Sequence, residues 1–418
     1  MRRSLGVGVS ERGFLMISRV RITLLSVSVL FAGWCGYGIF NYFSYNAEPE
    51  VAVIGLENDG YYKGVMNCAL KADNGYKIAL VDVFLDGKPL EVDRAYRVRS
   101  KTFTLPFEID TTQLTNGSHA LEVHAIDSSY HRNKKINTSG FFVDNLSLKG
   151  AFLNSEQKIE QGRTLRSQIQ LNKKVKKIEV KFLAKTYNCY PEENESTVYE
   201  CFIPVDCEER PNEYVMHASI EDFVGNVIRL TGSVAIHNVN FPKQRGFTVS
   251  NEKLDEEKEV SMSNKILSEA LEKWLKDSAK QKMWTGPFEL PTVVQRYSTP
   301  FGEIRTTPER GRYLHRAVDI VNYPKSVVWT AQNGNVIIKD RYLHSGNTVV
   351  IDHGLGVFSL YYHLDSFSDI DVGDFVKKGN PIGRVGMTGY ANGYHLHWEI
   401  RVGGVSVDPL QWTKKSFL

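Results

Sequence analysis

The longest apolar run in the chain comes early. Ile22–Phe40 carries no charge, and none returns until Glu48. A helix needs about 20 apolar residues to cross a bilayer, so the pattern predicts a transmembrane anchor over 22–40. Arg2, Arg3, Arg12, Arg19 and Arg21 precede it. That excess of arginine assigns 1–21 to the cytoplasm and the rest of the chain to the far side of the membrane. The competing reading is a cleaved signal peptide, but no A-x-A site follows the run. Ala32-Gly33-Trp34-Cys35 is close to a lipoprotein box, with Trp34 where a small residue belongs.

Beyond the anchor the pattern shortens to alternating runs. Ile78–Leu85 leads into Asp86-Gly87, a hairpin signal. His119–Ile126 alternates with near period two, as a half-buried strand does. Runs of this kind at close spacing predict an immunoglobulin-like β module over 50–145. Strand, Asp, turn, Asn, strand then occurs twice, at Asp127 with Asn133 and at Asp222 with Asn226. The repetition predicts a second β module over 146–240. His119, His124, His131, His217 and His237 are scattered through both modules and read as ordinary strand or surface histidines.

From 250 the character changes. Glu252–Glu259 is acidic, and Ile266, Leu267, Ala270, Leu271, Trp274 and Leu275 recur at helical spacing. A helical linker over 250–286 is expected, capped by Ser263 or Asn264. Short glycine-punctuated runs then continue to the end, including Gly334–Ile338, Thr348–Asp352, Phe358–His363 and Pro381–Val385. They predict an antiparallel β domain over 290–418. The fold class is therefore mainly β, with one N-terminal transmembrane helix.

Composition adds limits. A chain of 418 residues, 42% hydrophobic and 24% charged, is globular and long enough for several domains. A net charge of +3 gives no footing for nucleic-acid binding. Cys68, Cys189, Cys201 and Cys207 follow the anchor, where an oxidising compartment favours disulfides. Cys189–Cys201 is one hairpin staple among several possible pairings. No paired C-x-x-C knuckle makes the cluster a zinc site.

The chemistry lies in the last domain. His315-Arg-Ala-Val-Asp319, Tyr361-Tyr362-His363 and His395-Leu-His397 supply four imidazoles and a carboxylate. On a strand, residues two apart share a face, so His395 and His397 would project together while Leu396 packs behind. Two nitrogens and one oxygen form a catalytic zinc set, because the fourth position stays open to water. A zinc-activated water with imidazoles beside it suits amide hydrolysis. His353 reads as structural. Asp365, Asp369, Asp371 and Asp374 lack the spacing of a calcium loop.

These residues resemble the lysostaphin-type (LytM) zinc endopeptidases, which cut peptide bonds in bacterial peptidoglycan. The matching pieces are His315-x-x-x-Asp319, Asp352-His-Gly354, Tyr362-His363-Leu364, Gly373-Asp with Gly379, Gly386-x-Thr-Gly389 and His395-Leu-His397. The resemblance covers roughly 290–412 and implies an open antiparallel β groove. It implies that His315, Asp319 and His397 bind one zinc ion, with His363 and His395 as the catalytic pair. Residues 161–236 are similar to a domain found ahead of some such peptidases. Ala317 stands where the family commonly has glycine, which implies tuning rather than loss.

The sequence thus predicts an enzyme anchored in the bacterial inner membrane, with its bulk extracytoplasmic and peptidoglycan stem peptides or cross-links as substrate. The β modules are expected to hold the groove off the membrane, or to cover it as a lid. The alternative is a non-enzymatic LytM-type activator or scaffold for other wall hydrolases, which would have lost ligands. A surface adhesin would explain 50–240 and leave the zinc constellation unused.

Overall fold

Alternation becomes buried sheet in each β region. The computed structural model describes residues 11–90, 96–193, 196–244, 265–307 and 311–417. They divide into two compact units, Met1–Ser147 and Leu148–Leu418. The expected caps at Ser263 and Asn264 and the acidic run before them lie outside the described residues.

In the first unit one helix, Glu11–Ser44, runs through the 22–40 stretch. Among the described residues no helix is long and apolar enough to cross a membrane, so the expected transmembrane helix gains no support from the structure. The helix end docks on the β module, with Phe43 against Tyr130. The module itself is a three-stranded sheet and a six-stranded sheet around one core. Gly117–Asp127 shows how it forms, since Leu121, Val123 and Ala125 face inward and their neighbours outward. Asp86 and Gly87 take φ of 51° and 73°, the pair of positive values a tight hairpin turn requires.

The second unit begins with sheets of four and five strands around their own core. A disulfide joins Cys189 to Cys201, while Cys68 and Cys207 are free and buried. The repeated Asp–Asn signal has a physical meaning. Asp127 and Asp222 are both fully buried. Each accepts from the backbone and side-chain amides of its asparagine, Asn133 at 3.1 and 2.9 Å and Asn226 at 2.7 and 2.8 Å. The two regions close equivalent hairpins with the same device.

A ten-stranded sheet follows. Its central strands are Val318–Val321, Leu396–Val402, Val357–Phe367, Gly346–Asp352 and Gly334–Tyr342, in that spatial order. One face is a dry core of Val318, Ile320, Leu396, Trp398, Ile400 and Tyr361. The other carries Tyr362, Leu360, Phe358 and Val350, and the helix 265–277 packs Leu267 and Leu271 against it. The apolar stripe of that helix is therefore a docking face. Phe202 and Cys207, from the preceding β region, belong to the core under the ten-stranded sheet.

Candidate functional site

Sheet register places the site. Asp319 pairs with His397, and His397 pairs with Tyr362, so three adjacent strands put their side chains in one row on one face. His315 joins from the strand Gly311–Leu314, part of a two-stranded ribbon with Ile304–Thr307 that stands apart from the large sheet.

The donor atoms converge. His315 Nε2 lies 3.2 Å from His397 Nδ1 and 3.1 Å from Asp319 Oδ1, and the last two are 3.0 Å apart. Donors about 2.0–2.1 Å from a tetrahedral zinc stand roughly 3.3 Å from one another, so this triangle fits the ion. It is the one such group of His, Cys, Asp and Glu among the described residues. The environment supports ligation. His315 Nδ1 faces the Pro300 carbonyl at 3.3 Å, which can only accept, so Nε2 keeps its lone pair for the metal. Tyr362 stacks on His397 with centroids 4.9 Å apart and planes within 3°. Burial alone would raise the Asp319 carboxyl, but hydrogen bonds and charge from His315 and His397 hold it well below the usual carboxylate range. Ala317 is fully buried and is not among the residues with positive φ, so its methyl brings no backbone strain.

His363 and His395 stand beside the triangle with ring centroids 4.8 Å apart. His363 Nδ1 donates to the Thr388 carbonyl at 2.9 Å, and His395 Nδ1 to the Gly393 carbonyl at 2.8 Å. Each Nδ1 therefore carries a hydrogen, since a carbonyl can only accept. Burial, then the neighbouring His395 and His397, push the His363 imidazole well below its ordinary value, so it stays neutral. His363 also takes φ of 62°, unusual outside glycine, at an irregularity in the pairing with Gly346–Asp352. The bulge re-aims its side chain into the cleft.

That cleft has a volume of about 710 Å³ and is lined by all five of these residues. Glu399 and Arg401 line it too, and no sequence motif singled them out. The signal was the period of two along His397, Glu399 and Arg401. Arg401 Nε donates to Glu399 at 2.7 Å, Ser406 Oγ donates to the same carboxylate, and Tyr362 OH approaches its other oxygen at 3.5 Å. His353 is fully buried away from this cleft, with Nδ1 donating to Asn333 O and Nε2 accepting from Ser359, both at 2.7 Å. Asp371 pairs with Lys339, and the acidic loop forms no metal cluster among the described residues.

Comparison with known proteins agrees on the domain. Residues 313–409 match the model of peptidase family M23. The DD-carboxypeptidase/endopeptidase Mpg of Neisseria meningitidis serogroup B is 38% identical over 121 residues, 29% of this chain and 27% of that protein. The peptidoglycan DD-endopeptidase ShyB of Vibrio cholerae is 29% identical over 125 residues, 30% of this chain and 29% of its own. The match thus spans under a third of either relative. Among solved structures, a zinc-containing peptidase from Vibrio cholerae aligns with a TM-score of 0.30 at 14% identity, covering 70% of this chain and 81% of that one. The C-terminal part of the chain is a LytM-type domain of peptidase family M23.

Proposed function

We propose that the protein is a zinc-dependent endopeptidase that hydrolyses peptide cross-links of peptidoglycan. The observation that carries this reading is the convergence of His315, Asp319 and His397 within 3.0–3.2 Å of one another, with the His363 and His395 rings beside them. His315 Nε2, His397 Nδ1 and an Asp319 oxygen would hold one zinc ion. When bound, zinc supplies Lewis acidity, polarising a carbonyl and acidifying water. The chain's own groups do the rest. His363 Nε2 is free to accept a proton, because its other nitrogen is committed to Thr388 O. His395, its Nδ1 bonded to Gly393 O, holds Nε2 3.8 Å from Asp319 Oδ1, where it can stabilise developing charge. Tyr362 holds the His397 ring in plane. The relatives' names support the choice of peptidoglycan.

From the sequence alone we propose a single-pass inner-membrane location with the N-terminus in the cytoplasm and an anchor over 22–40, although no described helix is long and apolar enough to cross a membrane. Val29, Leu30, Phe31, Trp34, Ile39 and Phe40 are exposed around the helix Glu11–Ser44, which suits a lipid surround.

Zinc analysis and muropeptide release by the full chain test the function. About one zinc per chain is expected, with release of uncross-linked muropeptides, and loss of both in His397→Ala. Stoichiometric zinc without cleavage of any wall preparation would favour the activator. No zinc in the native protein would overturn the site assignment.

A further inference from the structure

The three candidate ligands are not held alike. Asp319 and His397 sit on paired strands of the ten-stranded sheet. His315 follows a two-stranded ribbon outside that sheet, and what holds the ribbon comes largely from the preceding β region.

Three sets of contacts do this. Ile304 N donates to Pro242 O at 2.8 Å and Gln244 N to Ile304 O at 3.0 Å, tying the exit segment of the β region to the ribbon through one isolated parallel bridge. Phe301, at the ribbon's start, lies against Gly162 and Phe241. Gly302 (φ 79°) lets the chain pass so close that a Cβ there would fall 2.1 Å from Phe241. Finally, Arg316, the residue next to His315, donates from Nη1 to Asp206 at 2.7 Å and from Nη2 to Glu208 at 3.0 Å. Arg312 donates to Glu208 at 3.0 Å, and the Glu208 backbone N–H holds Asp206 Oδ1 at 2.8 Å. Two acids on one turn thus grip two arginines, one within the strand Gly311–Leu314 and one just after His315.

We propose that the 148–244 region is a positioning element of the metal site, in which Asp206 and Glu208 hold the His315 ribbon through Arg316 and Arg312. It is not a lid. Among the described residues, Gln244 is the only one from this region that lines the cleft. Asp206 and Glu208 touch neither the cleft nor a candidate ligand. They set where His315 stands when the metal arrives. A partner bonded directly to a ligand typically changes metal affinity by about 10–100-fold, and these, one residue further out, act at the low end of that range. The inference rests on the zinc reading above.

The test is zinc affinity of the full chain, measured by competition with a chromophoric chelator, beside hydrogen exchange of the 301–316 amides. Asp206→Ala and Arg316→Ala should each weaken zinc binding by about tenfold, the low end for a partner bonded directly to a ligand. The double variant should be no weaker than the worse single one, because both remove the same interaction. Exchange of the Ile304 and His315 amides should speed up in each. Arg163→Ala removes the contact to Asp408 (2.6 Å) at another point of the same interface, and it should leave zinc affinity within about threefold. Wild-type zinc affinity in Arg316→Ala, or an equal loss in Arg163→Ala, would overturn the proposal. Arg316 is partly exposed, so its variant serves if Asp206→Ala does not fold. If the native chain binds no zinc, the enzyme reading fails. The exchange experiment still decides this one, and unchanged ribbon exchange in both variants would reject it.

Discussion

His397 and Trp398 are neighbours on one strand, yet they belong to opposite faces of the same sheet. Trp398 is fully buried in an apolar core, and His397 stands in a row with Asp319 and Tyr362 beside a cleft. The core face is chosen by volume and hydrophobicity. The cleft face is chosen by which atoms point at one another, and it keeps charged groups such as Glu399 almost dry by pairing them. Function and stability are thus separated by a single step along the strand.

The largest test of this separation is paired. His363→Ala should lower hydrolysis about a thousandfold, the scale of losing a general base, while the melting temperature stays close to wild type. Its counterpart Trp398→Ala should cost about 3–5 kcal/mol of stability in chemical denaturation. If both variants unfolded alike, the two faces would not be separable.

A third outcome concerns the imidazole on the core side. Burial lowers the His353 pKa from 6.5 to about 4. The native state therefore stays neutral where the unfolded chain takes up a proton. This contribution is fully present above pH 6.5 and is lost progressively as pH falls towards 4, by about 3 kcal/mol in total. Denaturation in wild type and His353→Gln across that range reads it, with a shallower slope expected in the variant. The smallest effect should come from Tyr362→Phe. It keeps the ring on His397 and loses only the long contact to Glu399, so stability should change by about 1 kcal/mol or less and bound zinc should be unchanged.

Much of the cleft face was legible because period two is a property of strands. His395-Leu-His397 announced two imidazoles with an apolar residue between, and Leu396 is indeed fully buried between them. Asp86-Gly87 announced its turn, and the Asp–Asn repeat marked a recurring strand–turn–strand pattern, though not the buried closure it makes. Other features depend on contacts between distant segments and leave no local mark. The positive φ of His363 arises from sheet pairing with Gly346–Asp352. Arg316 reads as a spacer inside the His315–Asp319 motif until the fold brings Asp206 and Glu208 to it across more than a hundred residues. The stripe at Leu267 and Leu271 showed a helix, but not that it would cover the sheet next to the cleft.

The most direct test of the central claim is digestion of a purified cross-linked muropeptide dimer by the full chain, followed by mass spectrometry. The native protein should give two monomers whose summed mass exceeds the dimer by one water. Cleavage should stop on chelation, return with zinc, and be absent in His363→Ala that still carries its metal. Intact dimer with the zinc-loaded native protein, or unchanged cleavage by His363→Ala, would contradict the account.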